Sequence, residues 1–175
     1  MLLRFLFGND IFISYSRKDG NLYATRLAEE LASRGFTCII DVYEGIPEAE
    51  IPRAVMRALR RSYQLVVVGT REAAASPNVA REIRDFPRIG RSRVVVGFDG
   101  SVEGAAWQKD IQGLAVQNED SDALRTGPSQ GIVDLVQASF RFKRQKQRLA
   151  ISFWTTLATI ALMLAGGGTW LWSMG

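Results

Sequence analysis

Short apolar runs alternate with longer stretches of helical spacing along most of this chain. Ile11-Phe12-Ile13, Phe36 to Ile40, Leu65 to Val68 and Val94-Val95-Val96 are apolar runs of strand length, and each predicts a buried strand. Between them, Leu22, Tyr23, Leu27 and Leu31 recur at helical spacing up to Gly35, which ends that helix. Ile51, Val55 and Leu59 repeat the pattern from Glu50 to Leu59, with Pro52 tolerable only in the first turn. Ala115-Val116 begins a weakly marked fifth strand, Asn118 to Ser129 reads as a polar surface loop, and Gly131 to Phe140 as a closing helix through Ile132, Leu135, Val136 and Ser139. Strands alternating with helices predict the α/β class, with a parallel sheet covered on both faces.

The candidate site follows from that pattern. Gly69-Thr70-Arg71 leaves the third strand for a helix opened by Ser76 and Pro77. The serine hydroxyl can cap an orphan N–H, and proline at the first helical position has none to lose. Glu82 then lies a turn and a half into that helix. Ligands of open parallel sheets bind outside the carboxyl ends of the strands, and the loops Ser14 to Asp19, Asp41 to Pro47 and Gly69 to Ser76 all leave from that end. Glu82 is the acid placed near all three. Ser14, Tyr15, Arg17, Lys18, Ser76 and Asn78 are the substrate-binding candidates around it. Arg17 and Lys18 either meet phosphates or are simply solvated, and Tyr15 either shapes a pocket or packs beside the strand. For Glu82 the alternative is an exposed helix glutamate between Arg81 and Arg84.

The last part of the chain has a different character. Leu149 to Trp172 carries no charge, and about 24 residues at about 1.5 Å each reach roughly 36 Å, enough to cross a bilayer's hydrocarbon core. Trp154, Trp170 and Trp172 stand near its ends, where indoles favour the interface. Residues 141–148 form a basic linker before it, marking the cytoplasmic side. The expectation is a single-pass cell-membrane protein whose domain at residues 9–140 faces the cytoplasm and whose transmembrane helix covers 149–172. Ala161, Ala165 and Thr169 form a small-residue stripe that either packs two such helices together or merely belongs to an anchor. Met1 to Phe7 is too short an apolar run for a signal-peptide core and reads as a lead-in to the fold.

Composition narrows the chemistry. With no histidine among 175 residues, Ser-His-Asp and Cys-His nucleophile systems are excluded, and so are most catalytic zinc sites. The single cysteine, Cys38, rules out an internal disulfide and makes a metal cluster implausible; it reads as a small buried side chain in a reducing compartment. The net charge is +4, yet Arg141, Lys143, Arg144, Lys146 and Arg148 exceed that by themselves and leave residues 1–140 at about −1. The folded part therefore has no general excess of positive charge for a nucleic acid, and no nucleic-acid partner is expected. The glycine motifs of P-loop and dinucleotide-binding folds are missing after the first strand. A phosphorylated receiver domain would place an aspartate after the third strand, where Gly69-Thr70 stands.

The order and spacing of several stretches resemble the TIR (Toll/interleukin-1 receptor) domain family, bacterial type, over roughly residues 9–140. They are Asp10 to Asp19, Ala24 to Gly35 with Phe36 to Asp41, Gly45-Ile46-Pro47, and Leu65 to Val68 followed by Ser76 to Glu82. The resemblance implies a flavodoxin-like doubly wound sheet in the order 2-1-3-4-5. In many bacterial members it also implies cleavage of NAD with release of nicotinamide. The family's Ser-x-Trp-x-x-x-Glu pattern puts its catalytic glutamate on Glu82 and its serine on Ser76, while its tryptophan falls on Asn78, a departure. Residues 41–51 correspond to the family's BB loop, which governs self-assembly and access to the pocket.

Cleaving the bond between nicotinamide and ribose needs little acid, because the leaving group departs from a cation as a neutral amine. It needs support for positive charge on the ribose, as in glycoside hydrolysis, and an ionised glutamate supplies that. The expected reaction uses NAD as substrate, with no bound cofactor or metal. Expected partners are other TIR domains, by self-association, and membrane lipid. The competing expectation is a catalytically silent adaptor that recruits other TIR proteins at the membrane, which Asn78 favours.

Overall fold

The computed structural model describes residues 10–40, 53–142 and 144–145. The chain divides into two units, Met1–Phe140 and Arg141–Gly175, and the fold described below is that of the first. Among the described residues five strands form one sheet: β1 (Ile11–Ser14), β2 (Cys38–Ile40), β3 (Gln64–Gly69), β4 (Ser92–Phe98) and β5 (Val116–Glu119). They lie in the order β2-β1-β3-β4-β5 and every neighbouring pair is parallel, with Ile11 opposite both Cys38 and Gln64 and Val95 opposite both Val67 and Val116. Among the described residues of this unit the helices are α1 (Asn21–Ser33), α2 (Arg53–Arg61), α3 (Arg71–Ala75), α4 (Pro77–Asp85), α5 (Ala123–Thr126) and α6 over residues 130–140, with a 3-10 turn at Gln108–Ile111.

Side chains alternate across a strand, so each strand feeds two cores. Ile11, Ile13, Val66, Val68, Val94 and Val96 meet Tyr23, Leu27 and Leu31 of α1 and Val133, Val136 and Phe140 of α6. Phe12, Leu65, Val67 and Val95 meet Val55 and Leu59 of α2, Val79 and Ile83 of α4, and Trp107. This is why the central strands read as unbroken apolar runs.

Several boundaries differ from the sequence expectation. Leu22 is 45% exposed, and the buried stripe of α1 is completed by Ala24 and Ala28. Phe36 belongs to the end of α1 and not to β2: Gly35 takes φ +87°, which lets the Phe36 N–H bond back to the Leu31 carbonyl at 3.1 Å. β3 and β4 extend beyond their valine runs at both ends, since backbone pairing between them continues into Gln64, Gly69 and Ser92, and Phe98 pairs with Glu119 of β5. β5 takes Asn118 and Glu119 from the expected loop. As an edge strand it is half-buried and so carries few apolar residues. On α6, Val133 and Phe140 are buried with Ile132 and Val136, whereas Leu135 is only half-buried and Ser139 shares a 2.5 Å hydrogen bond with Ser92. Cys38 is half-buried.

Among the described residues no helix is long and apolar enough to cross a membrane. The expected span 149–172 lies outside the described residues, as do the loop 41–51, the lead-in 1–7 and most of the basic linker 141–148.

Candidate functional site

The winding of the sheet reverses between β1 and β3, whose chains leave toward opposite edges, and a crevice at their carboxyl ends is where this topology binds ligands. Ser14 is the last residue of β1 and is fully buried. Its hydroxyl donates to the carboxylate of Glu82. Helix α4 brings that carboxylate in because Ser76 caps it, its hydroxyl accepting from the Val79 N–H at 3.4 Å, and Pro77 opens it. Val79, Ala80, Ile83 and Phe86 form the inward stripe of the helix, and Glu82 occupies a place in that stripe. Its exposure is 3%, and it is the only acidic residue buried to that degree among the described residues. The exposed glutamate considered from the sequence is thereby replaced by a buried one, while Arg81 and Arg84 face outward. Burying a carboxylate is costly without partners, so a helix that places one in its apolar face is specifying a function or a switch more than stability.

The loop after β1 is tied to the loop after β3 by a residue that the sequence reading did not single out. Asp19 accepts the Thr70 hydroxyl at 2.6 Å and the Glu72 N–H at 3.0 Å. The Thr70 hydroxyl in turn accepts from the Ala73 N–H at 3.2 Å, so one carboxylate and one hydroxyl cap α3 together. The sequence expectation of a plain loop from Gly69 to Ser76 missed α3. The signal was present, since Thr70 is a good N-cap and Glu72-Ala73-Ala74-Ala75 are strong helix formers.

Of the remaining candidates, Tyr15 is half-buried and its hydroxyl donates to Asn21 at 3.3 Å at the start of α1. Arg17 is exposed in the same loop. Lys18 lies 3.2 Å from the Glu72 carboxylate, an exposed pair that offsets part of its charge. Asn78 is half-buried in the first turn of α4, four residues before Glu82 and therefore next to it along the helix surface. Ser14 and Glu82 are thus in direct contact, Tyr15, Arg17 and Lys18 crowd the neighbouring loop, and Ser76 and Asn78 open the helix that carries Glu82.

The wall behind β3 is closed by the segment after β4. A Cβ on Gly69 would come within 2.7 Å of Val102 Cγ2 and 3.0 Å of the Val96 carbonyl, so only glycine fits there. The buried indole of Trp107 donates to the Ala73 carbonyl at 2.9 Å, which pins α3 from the other side.

Sheet order and switch-point site together define a doubly wound α/β domain of the flavodoxin-like kind. The model of the TIR domain family matches residues 11–126, and the chain belongs to that family. Among solved structures, it is similar to the TIR domains of the activated Roq1 resistosome directly recognizing the pathogen effector XopQ, at 23% identity and a TM-score of 0.45. That match covers 53% of this chain and 58% of the other. No curated protein matches the sequence.

Proposed function

We propose that this chain is a membrane-anchored TIR domain that cleaves NAD, with Glu82 as the acting carboxylate. The observation that carries the reading is the Ser14–Glu82 contact: a buried acid at the reversal of the sheet, held by the last residue of β1. The glycosidic C–N bond breaks with its electron pair leaving on nicotinamide. A water oxygen then attacks the ribose carbon and loses its proton, giving ADP-ribose, or a second nucleophile within the nucleotide closes a ring. Glu82 stabilises the cationic sugar as the bond breaks. Ser14 orients the carboxylate, and the Tyr15 to Lys18 loop faces the diphosphate. The proposed reaction draws on no metal or further cofactor. Residues 149–172, uncharged and preceded by five basic residues, support a single-pass anchor with the domain on the cytoplasmic side. Clustering of such domains in a bacterial signalling or defence setting is the proposed trigger.

A silent adaptor is the second reading, and Asn78 favours it, because the position that carries tryptophan in the family's pattern here offers no ring to stack on a base. The full chain, crowded on liposomes, is expected to release nicotinamide from NAD, and Glu82→Gln is expected to stop release while leaving the fold intact. Absence of turnover in the parent chain under crowding selects the adaptor.

A further inference from the structure

The end of the domain opposite the site is basic and carries the most exposed large apolar side chain described. Ile89 is 95% exposed, in the turn between α4 and β4, with Arg88 and Arg91 on either side. Arg91 donates to the Ser62 carbonyl at 2.5 Å and lies 5.8 Å from the Tyr63 ring centroid, which brings this turn against the end of α2. Arg60 and Arg61, both exposed, form the last turn of α2. Among the described residues, Asp110 is held by Arg88 at 3.1 Å and Asp10 accepts from the Thr37 N–H and hydroxyl, so both acids are engaged. The domain leaves its fold at the same end. Phe140 stacks edgewise on Phe36 and Tyr63, just before β2 and β3, and Ser139 meets Ser92, the first residue of β4. The next residues along the chain are the basic run 141–148.

From this juxtaposition we propose that the strand-start end of the domain is a docking surface for an anionic bilayer, with Arg60 and Arg61 on headgroups and Ile89, held between Arg88 and Arg91, entering the interface. A lone exposed isoleucine flanked by arginines suits a lipid surface, where the apolar tip is taken up and the cations meet phosphate. Docking would leave the carboxyl ends of the strands, with Ser14 and Glu82, facing away from the membrane and accessible. The inference is independent of NAD cleavage and draws on the anchor only for proximity.

The test places a fluorophore sensitive to its surroundings on Ile89→Cys in the full chain. Cys38 is half-buried with its thiol pushed up to about 12, so labelling falls on position 89. The chain is reconstituted at one copy per nanodisc of phosphatidylcholine alone or with phosphatidylserine. The emission is expected to shift to the blue only with phosphatidylserine and to return at high salt. The double variant Arg60→Gln, Arg61→Gln is expected to weaken docking roughly fivefold per arginine removed. Identical spectra in the two kinds of disc overturn the proposal. A shift that follows the number of chains per disc and ignores lipid charge also overturns it, in favour of contact between copies. Should the chain fail to insert yet still shift on added phosphatidylserine vesicles, docking stands and the anchor reading falls.

Discussion

Ser14 and Glu82 are 68 positions apart in sequence and share a buried hydrogen bond, the serine donating from the end of β1 and the glutamate accepting from the inner face of α4. The contact joins the strand where the sheet reverses to the helix that follows its neighbour, so the carboxylate's position is set by two elements of the core. Removing the hydroxyl with Ser14→Ala leaves the buried carboxylate one donor short. The expected cost is about 2 kcal/mol of stability, read as a shift in the urea midpoint. If Glu82 acts on ribose, the same variant lowers nicotinamide release by roughly tenfold to a hundredfold, with kcat falling more than KM rises, because an acid misplaced by a fraction of an ångström supports the sugar cation poorly.

Asp19 ties the β1 loop to α3 through Thr70 and the Glu72 N–H. Asp19→Ala removes a charged acceptor and uncovers a helix N-terminus whose hydroxyl cap, Thr70, is itself buried. Loss of about 2 kcal/mol is expected, a drop in Tm on the order of 5 °C in calorimetry. Asp19→Asn keeps one acceptor and is expected to recover about half of that loss. A structural role predicts that both variants release nicotinamide at nearly the parent rate well below the new Tm.

Asn78 marks the departure from the family pattern, one helical turn before Glu82. Asn78→Trp restores an aromatic face beside the carboxylate, and base or nicotinamide stacking on it is worth roughly 1–3 kcal/mol. The expected result is a KM for NAD lower by about tenfold in clustered protein, measured by nicotinamide release. A chain that is silent with asparagine and remains silent with tryptophan points to the adaptor reading.

The sequence made the central strands visible because burial on both faces demands runs such as Leu65 to Val68. The edge strand β5 was faint because half-exposed backbone pairing needs no particular side chain, so Val116, Gln117, Asn118 and Glu119 look like loop. Glu82 was legible as a candidate, yet Arg81 and Arg84 made its helix look solvated there. Its burial was readable only from Val79, Ile83 and Phe86, which place position 82 in the inward stripe. Asp19 was hidden for a different reason. Its partners lie more than 50 positions away, and no local pattern announces a carboxylate that caps a distant helix. The same holds for Trp107, whose bond to Ala73 spans 34 positions.

Cys38 offers a measurement of how tightly β2 closes the sheet. Burial raises its thiol pKa from 9.0 to about 12, and the negative charge of Asp10 adds to the effect. The thiolate is the reactive species, so at pH 8 alkylation by iodoacetamide is expected to run on the order of a hundredfold to a thousandfold slower than for an exposed cysteine. The rate should keep climbing through pH 10 without the plateau that an ordinary thiol shows. The sign for stability follows. Because the folded thiol ionises later than the unfolded one, this cysteine's contribution is complete below about pH 9 and is lost as pH rises toward the folded value near 12. Asp10→Asn removes the second cause alone and is expected to speed alkylation severalfold, with the larger burial effect remaining. An alkylation profile that levels near pH 9 would show that β2 opens readily at the edge of the sheet, since only solvent access could return the thiol to its ordinary range.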